Sequence, residues 1–321
     1  MKKTLFILLL SPLLLASPAK AQSAMGLSAI PPRLEVTAKP GQVITREIKI
    51  RNESKVERVL TTTIKDFVVT DDKGTPIQVE GQNDSYAIRW AAASWLQTSP
   101  TNFKIKPGET KSLVLTIIVP QDTTPGGHYA MVLHSPKNET ILSETGSMIE
   151  TNVGTLIYIT IPGAIKQDAK VQRFTAPKFS EYGPIDFHTT LTNLSDIHIT
   201  PTGTITVKNW FGLRTAELEL EKLNIFPYAN RDFTNTLAKK WLFGRYQARL
   251  LAGYGTQGGL LTSTIYFWVI PWRLLLIILA ILLILILLCL LLKKRQPPTP
   301  VAEIEELEKE LDILKKKYQD K

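Results

Sequence analysis

Cysteine is nearly absent from this chain, whose 321 residues contain only Cys289. That residue lies inside a long apolar run, and the rest of the chain contains no cysteine and therefore cannot form a disulfide. Exported domains in disulfide-forming compartments are often stapled by several disulfides. A cysteine-free exported region is therefore more typical of a bacterial surface than of an animal one. The same scarcity excludes a cysteine-ligated zinc site outside the apolar run.

Catalytic motifs are also lacking. The sequence has no HExxH, no G-x-S-x-G, no P-loop and no G-x-G-x-x-G, and it has only four histidines, His128, His134, His188 and His198. His188 and His198 fall on or beside predicted strands, where exposed or hydrogen-bonded structural histidines are expected. We therefore predict no enzyme activity, no metal site and no cofactor. A surface hydrolase would need a catalytic set that forms only on folding.

An excess of charge of one sign is missing from most of the chain as well. The net charge is +9, but the first 21 residues carry +3, Arg273 adds +1 and residues 293–321 add +1, which leaves +4 for residues 22–270. This balance argues against DNA or RNA as a partner.

The N-terminal segment, residues 1–21, has the pattern of a secretory signal peptide. Lys2 and Lys3 precede an apolar run, and Ala19 and Ala21 form an A-x-A cleavage pattern. We expect cleavage before Gln22. An uncleaved anchor helix would need a longer apolar run.

A second apolar segment, residues 271–292, predicts one membrane-spanning helix. Leu274–Leu292 contains no charged residue, and this segment is long enough to cross a bilayer. Trp268 and Trp272 stand where interfacial aromatic residues belong, and three basic residues follow at 293–295. The prediction is a single-pass protein of the bacterial plasma membrane, with the N-terminus outside and the C-terminus in the cytoplasm.

The cytoplasmic tail, residues 293–321, contains an amphipathic helical pattern. Apolar residues recur at alternating spacings of three and four, at Ile304, Leu307, Leu311, Leu314 and Tyr318. Two heptads predict a short helix suited to self-association or to a partner helix, with a solvated tail as the alternative.

The exported region is predicted to be all-β. Alternating stretches such as "ITREIKIRN", "KSLVLTIIVP" and "TLIYITIPG" are separated by Gly, Pro, Asn and Asp, which is typical of β-sandwiches. We predict two tandem immunoglobulin-like β-sandwich domains, residues 22–162 and 163–270. "VVTDDKGTPIQV" predicts a hairpin with its turn at Asp71–Gly74.

One pattern occurs twice in this region. "EIKIRNESK" around Asn52 is similar to "HTTLTNLSD" around Asn193, and "FKIKPGETKSLVLTI" is similar to "LNIFPYANRDFTNTL". "GHYAMVL" then matches "GRYQARL", where Arg245 replaces His128, so the pattern does not require the histidine. We predict structural corners in which a glycine permits a turn and a tyrosine hydroxyl reaches back to the preceding loop, at Gly127, Tyr129, Gly244 and Tyr246.

Exposed aromatic residues are the best candidates for ligand binding. Trp90 and Trp95 lie in a segment that only the first copy contains, and their faces would stack on sugars or on a partner protein. The alternative is that this segment caps the open end of the sandwich. Trp210 and Phe211 form a candidate hairpin tip, either an interface or an apolar pair that is partly buried against the sheet.

The stretches "IPPRLEVTAKPGQVITREIKIRNES" and "ASWLQTSPTNFKIKPGETKSLVLTIIVPQDTTPGGHYAMVL" resemble the N-terminal domain of bacterial WxL-interacting surface proteins. The resemblance covers residues 28–135, and the order of signal, two β domains, membrane helix and tail also fits that family. It implies a first domain that binds peptidoglycan and a second that binds surface proteins. No residue-level motif of the family carries over.

Two function classes follow from these observations. The favoured one is a non-enzymatic, membrane-anchored surface protein whose ectodomain binds wall glycan or other envelope proteins. The alternative is a PapD-like chaperone or assembly factor for surface proteins, since immunoglobulin-like domains with a Pro-rich first strand also occur there. A freely diffusing chaperone needs no membrane helix.

Overall fold

The computed structural model describes residues 26–79, 89–137, 141–142, 148–149, 152–294 and 300–319. The predicted signal peptide lies outside these residues. The described chain consists almost entirely of β-strands, followed by two helices. The predicted all-β sandwich-like architecture is therefore confirmed.

The first twelve strands form what we call the N-terminal sheets. Their bounds are β1 Leu27–Ile30, β2 Arg33–Thr37, β3 Val43–Asn52, β4 Arg58–Val69, β5 Pro76–Gln78, β6 Leu96–Ser99, β7 Asn102–Ile105, β8 Thr110–Ile118, β9 Gly126–Pro136, β10 Ile141–Leu142, β11 Met148–Ile149 and β12 Val153–Ile161. One sheet has the order β1-β3-β8-β6, and the facing sheet has the order β2-β12-β9-β4-β5, with β7 also paired to β4. β10 and β11 form a separate two-stranded ladder. The hairpin predicted around Asp71–Gly74 joins β4 to β5.

The alternation of apolar residues explains the first core. In β8, Leu113, Leu115 and Ile117 point inward and are fully buried, while the intervening residues face outward. They pack against Ile48 and Ile50 of β3 and against the facing sheet. β9 differs because its residues 126–134 are buried on both faces, and in agreement with this its centre, residues 129–133, is a continuous apolar run.

The last eight strands form the C-terminal sheets. Their bounds are β13 Ala169–Thr175, β14 Phe179–Ser180, β15 Ile185–Asn193, β16 Thr202–Asn209, β17 Arg214–Glu219, β18 Asn230–Leu237, β19 Gly244–Tyr254 and β20 Gly259–Val269. The sheet orders are β13-β15-β18 and β14-β20-β19-β16-β17. A second core, which includes Phe187, Ile205, Leu250 and Phe267, fills the space between these two sheets.

Two helices follow the last strand. α1 spans Trp272–Lys294, and α2 spans Pro300–Gln319. Residues Trp272–Leu292 of α1 are long and apolar enough to cross a membrane. A stretch of 18 residues within them has a mean hydropathy of 3.8, and none of that stretch is buried against the protein. In α2, Ile304, Leu307 and Leu311 are exposed.

The repeated asparagines occupy equivalent positions in the two groups of sheets. Asn52 and Asn193 are both fully buried at the end of a strand. Each side-chain oxygen accepts the backbone N–H of the serine two residues later, at 3.0 and 2.9 Å. Each side-chain amide donates to the carbonyl four residues later, at 2.8 Å in both cases, and to the carbonyl of Ile105 or Ile225. The sequence repeat therefore reflects a repeated hydrogen-bonded corner.

Replacing Asn193 with alanine is expected to lower the free energy of unfolding by about 3 kcal/mol, because buried carbonyls and a buried N–H lose their partners. Asn52→Ala should cost a similar amount. Urea denaturation of the full chain in detergent measures both. Asn235→Ala is the control, since its side chain donates one hydrogen bond, to the Glu219 carbonyl, and should cost about 1 kcal/mol. Equal midpoints for Asn193→Ala and Asn235→Ala would contradict this account.

Candidate functional site at an aromatic junction

A third apolar cluster lies where the N-terminal and C-terminal sheets meet. Most of its residues come from the outer faces of β4, β9 and β12, and the remainder come from the loop before β18. We call it the junction cluster, and its buried members are Phe67, Tyr129, Met131, Leu133, Tyr158, Phe226 and Ala229. This cluster accounts for the burial of β9 on both faces.

The rings of the junction cluster pack mostly edge to face. Phe226 lies 5.4 Å from Phe67, 5.1 Å from Tyr129 and 5.3 Å from Tyr158, measured between ring centroids, with interplanar angles of 77°, 69° and 79°. Aromatic pairs prefer this geometry because the positive edge of one ring meets the negative face of the next. Phe226 is thus the main apolar contact from the C-terminal sheets.

The Tyr129 hydroxyl crosses the junction. It accepts a hydrogen bond from the His198 backbone N–H at 2.8 Å and lies 3.1 Å from His198 Nδ1. Burial raises the pKa of Tyr129 and lowers the pKa of His198, so both side chains are neutral near pH 7. The repeated pattern predicts that the tyrosine hydroxyl bonds to the preceding loop, and for Tyr129 this prediction is wrong. Its hydroxyl bonds to His198 of the C-terminal region instead, because the junction cluster covers the outer face of β9.

Gly127 makes room for that hydroxyl. A Cβ atom at position 127 would lie 2.1 Å from Tyr129 Oη, so only glycine fits. The matching residue, Gly244, has no atom within 4 Å of such a Cβ but has a φ of +101°, which L side chains rarely adopt. The Tyr246 hydroxyl accepts the Phe243 N–H at 3.1 Å, within the preceding loop. The same sequence pattern therefore places one tyrosine hydroxyl across the junction, on His198, and the other on the loop that directly precedes its own strand.

Polar contacts also join the two groups of sheets. The Gly127 N–H donates to the Asp196 carbonyl at 2.9 Å, and the Asp232 N–H donates to the Asp72 carbonyl at 2.8 Å. Arg89 Nη2 lies 2.7 Å from Asp196 Oδ2. Because backbone bonds are directional, these contacts fix how the sheets meet at the junction.

An apolar pocket of about 190 Å³ opens beside the junction cluster. We call it the junction pocket, and it is lined by Phe67, Val68, Val69, Thr70, Trp90, Tyr129, Phe226 and Pro227. Thr70 at its edge is exposed. The polar side-chain groups of the lining are the Thr70 hydroxyl, the Trp90 indole N–H and the Tyr129 hydroxyl, and the last of these is already bound to His198.

Tyr228, next to the pocket, has a left-handed backbone conformation with a φ of 54°. The corresponding residue of the first copy is Gly108, with a φ of +74°. A non-glycine residue there costs about 1–2 kcal/mol, and such strain is often found at functional sites. The Tyr228 ring lies 5.8 Å from the Trp90 ring, so it extends the aromatic wall around the pocket.

The structure separates the two tryptophans that were predicted as one binding segment. Trp90 is half-buried, packs against the junction cluster and lines the pocket. Trp95 ends a short 3-10 helix, Ala93–Trp95, and packs against the first core. Its ring lies 4.5 Å from that of His128. The two indoles therefore do not form a common platform.

The second predicted pair stands on the β16–β17 turn. The side chains of Trp210 and Phe211 are 67% and 72% exposed, and their ring centroids lie 4.8 Å apart. The pair lies at the end of the C-terminal sheets opposite the junction. Asn209, the last residue of β16, pairs with Tyr246 of β19, and Tyr246 pairs in turn with Phe267 near the end of β20.

His134 is buried away from the site, with Nδ1 2.9 Å from Thr62 Oγ1. Burial lowers its pKa to about 4, so it is neutral at pH 7. Within the part of the chain that the structure describes, no group of His, Cys, Asp and Glu side chains could hold a metal ion.

Acidification is expected to destabilise the fold through His134. Because its pKa is lower in the folded chain than the value near 6.5 of the unfolded one, its contribution is complete above pH 6.5 and is lost as the pH falls towards 4. Between pH 7.5 and pH 5 this loss is about 2 kcal/mol. Urea denaturation at both pH values should show a smaller drop for His134→Gln than for the parent chain. An equal drop would contradict the assignment.

Comparison with known proteins places the chain near solved chaperone structures without assigning it to a family. No protein-family model matches the chain, and no curated protein matches it. Similar structures include the class 5 fimbriae chaperone CfaA, at 13% identity and a TM-score of 0.35, covering 76% of this chain and 99% of that one. The E. coli chaperone DraB is 12% identical, with a TM-score of 0.34, and covers 76% and 97%. The complex of the Salmonella enterica SafA pilin with the SafB chaperone contains a chain at 12% identity and a TM-score of 0.33, covering 78% and 99%. Similarity at this level assigns no activity.

Proposed function

We propose that the chain is a non-enzymatic protein, anchored in the bacterial plasma membrane by α1, that binds another protein of the cell envelope through the junction pocket. The observation that carries this proposal is the apolar, aromatic-walled pocket at the junction. A concave apolar site with few polar groups suits an inserted apolar side chain, which is how proteins commonly anchor a partner.

The lining favours a protein over wall glycan. Sugar rings stack on aromatic faces, but their hydroxyl groups also need hydrogen-bond partners when they are buried. In the junction pocket the Tyr129 hydroxyl is bound to His198, which leaves the Trp90 indole N–H and the Thr70 hydroxyl at the edge, fewer groups than the hydroxyls of a sugar ring. An apolar side chain from a protein needs no such partners.

The proposal includes the domain organisation and topology expected from the sequence. We take residues 22–162 and 163–270 as two tandem immunoglobulin-like domains, outside the membrane, and residues 293–321 as a cytoplasmic tail. The two separate cores support this division. The basic residues 293–295 after α1 support the orientation. Membership of the WxL-interacting family is part of the same proposal.

The test uses the purified full chain in nanodiscs, with two fractions from bacterial cells that express it: protein-free peptidoglycan sacculi, and detergent-solubilised envelope proteins. We expect the parent to retain an envelope protein, and we expect the amount that Trp90→Ala retains to be at least tenfold lower. Val43→Ala is the control, since Val43 is exposed on β3, in the sheet that contributes no residue to the junction cluster, and it should retain as much as the parent.

Two results would overturn the proposal. Sedimentation with sacculi that Trp90→Ala loses would place a glycan in the pocket. Equal retention of envelope proteins by Trp90→Ala and the parent would show that the pocket is not the binding site.

A chaperone or assembly factor is the second candidate. The outer edge of β6 pairs with no other strand in the described part of the chain, and an unpaired edge accepts an added strand from a partner. A solved complex of a structural neighbour contains a pilin. Protection of the β6 backbone amides from hydrogen exchange, when the retained envelope protein binds, would favour this function over the first.

A further inference from the structure

The end of the C-terminal sheets that adjoins α1 carries a group of exposed aromatic side chains. β20 ends at Val269 and α1 begins at Trp272, so only two residues connect them. In strand register, Val269 pairs with Gly244, Phe267 pairs with Tyr246, and Tyr246 pairs with Asn209. The β16–β17 turn, which follows Asn209, therefore lies at the level where the chain enters the helix.

Two further loops meet at the same end. The loop before β15 is tied to the loop before β19, because the Gly183 N–H donates to the Lys240 carbonyl at 3.0 Å. Lys239 Nζ donates to the Thr215 carbonyl at 2.7 Å, next to the β16–β17 turn. The Ile270 N–H donates to the Ser180 carbonyl at 3.0 Å. Three loops and the start of α1 thus form one surface.

We call the exposed apolar residues of this surface the membrane-proximal rim: Phe179, Trp210, Phe211, Leu213, Trp241 and Phe243. Each is more than half exposed. Among the residues that the structure describes, every Phe and Trp outside the rim, apart from Trp268 and Trp272 beside it, is buried or half-buried. Large aromatic side chains are rarely left in water in this way without a contact to cover them.

Basic side chains stand among these rings. The Lys240 ammonium lies 5.9 Å from the Trp241 ring centroid, and the Arg245 guanidinium lies 4.4 Å from that of Tyr266. Arg273 lies 5.3 Å from the Trp272 ring and 3.5 Å from Glu181. Tryptophan with lysine and arginine is the composition that proteins place at the lipid headgroup level, where the rings meet the acyl boundary and the cations meet phosphate.

We propose that the membrane-proximal rim inserts into the outer headgroup region of the same bilayer that α1 crosses. This inference rests on the proposed membrane anchor. The occupant is lipid because the rim is continuous with the start of α1, and its cations complement anionic phospholipid. The C-terminal sheets then stand on the bilayer at four points, the three loops and the helix, and hold the junction pocket at a fixed height and direction above the membrane.

The experiment reconstitutes the full chain in mixed phosphatidylcholine–phosphatidylglycerol vesicles, in which the phosphatidylcholine carries bromine on its acyl chains near the headgroup. Bromine quenches tryptophan only at short range. The chain has six tryptophans: two in the rim, two beside α1 and two in the N-terminal sheets. The compared proteins are the parent, Trp210→Phe/Trp241→Phe, and the control Trp90→Phe/Trp95→Phe.

If the rim is inserted, the quenched share of the emission falls from about two thirds in the parent to about one half in Trp210→Phe/Trp241→Phe, because quenchable residues are removed. In the control it rises, since only unquenched residues are removed. If the rim stays in water or contacts a protein, removing Trp210 and Trp241 raises the quenched share, from about one third to about one half. That opposite sign would overturn the inference while the anchor stands. An absence of quenching in all three proteins would overturn the anchor and the inference together.

Discussion

Replacing Gly127 with alanine is expected to lower the free energy of unfolding by about 3 kcal/mol, the cost of overpacking a buried site and disturbing a buried hydrogen bond. The added Cβ would lie 2.1 Å from Tyr129 Oη and 3.3 Å from the Ile197 Cα. Tyr129 has little room to move, because its ring is enclosed by the junction cluster and its hydroxyl holds His198. Urea denaturation of the full chain in detergent measures the effect.

Gly244→Ala is the matched control, because it changes the corresponding residue of the second copy. No atom lies within 4 Å of its new Cβ, so its cost should be backbone strain alone, about 1–2 kcal/mol.

A double-mutant cycle shows whether the Tyr129 hydroxyl is the cause. In a Tyr129→Phe background the closest clashing atom is gone, although the Tyr129 Cζ position remains 2.7 Å away. The cost of Gly127→Ala should therefore fall by about 1–2 kcal/mol. An unchanged cost would show that the glycine is required for another reason.

Ending the chain after Pro271 is expected to release it completely from membranes, whereas ending it after Lys294 should leave it bound. The first variant lacks α1, in which a stretch of 18 residues has a mean hydropathy of 3.8 and is not buried against the protein. Each Leu or Ile in such a helix favours the bilayer by on the order of 0.5 kcal/mol. The second variant lacks only the tail with α2.

Alkaline carbonate extraction of membranes from cells that express each variant measures this difference. Both shortened chains retain β20, which ends at Val269, so the second core stays complete and folding is comparable. If the chain that ends after Pro271 stays in the pellet, the membrane-proximal rim or a bound protein holds it there, and α1 is not the essential anchor.

The elements that depend on local pattern could be predicted from the sequence. Strict alternation in β8 placed Leu113, Leu115 and Ile117 in a core, and the turn signal at Asp71–Gly74 placed a hairpin. The recurrence of Asn52 and Asn193 was visible as part of a repeated pattern because both asparagines make bonds within a few residues along the chain. These features could be predicted because each depends on residues that are close together in the sequence.

The candidate site depends on contacts between distant segments, and these leave no periodic signature. Tyr129 and His198 are 69 residues apart in the sequence, and His198 reads locally as an ordinary strand histidine. Trp90 and Trp95 share one short segment, so their sequence could not show that one lines the junction pocket and the other packs against the first core. The strain at Tyr228 had one signal: a tyrosine where the first copy has Gly108.

The most direct test of the junction pocket as a protein-binding site is photo-cross-linking in intact bacterial cells. A photoreactive amino acid replaces Thr70, which is exposed at the edge of the pocket, and in a control it replaces Glu47, which is exposed on the outer face of β3. We expect a cross-link to a discrete envelope protein from position 70. This cross-link should be absent from position 47, and it should be lost when Trp90→Ala is combined with the photoreactive residue at position 70. A cross-link of equal yield with and without Trp90, or the same protein captured from position 47, would contradict it.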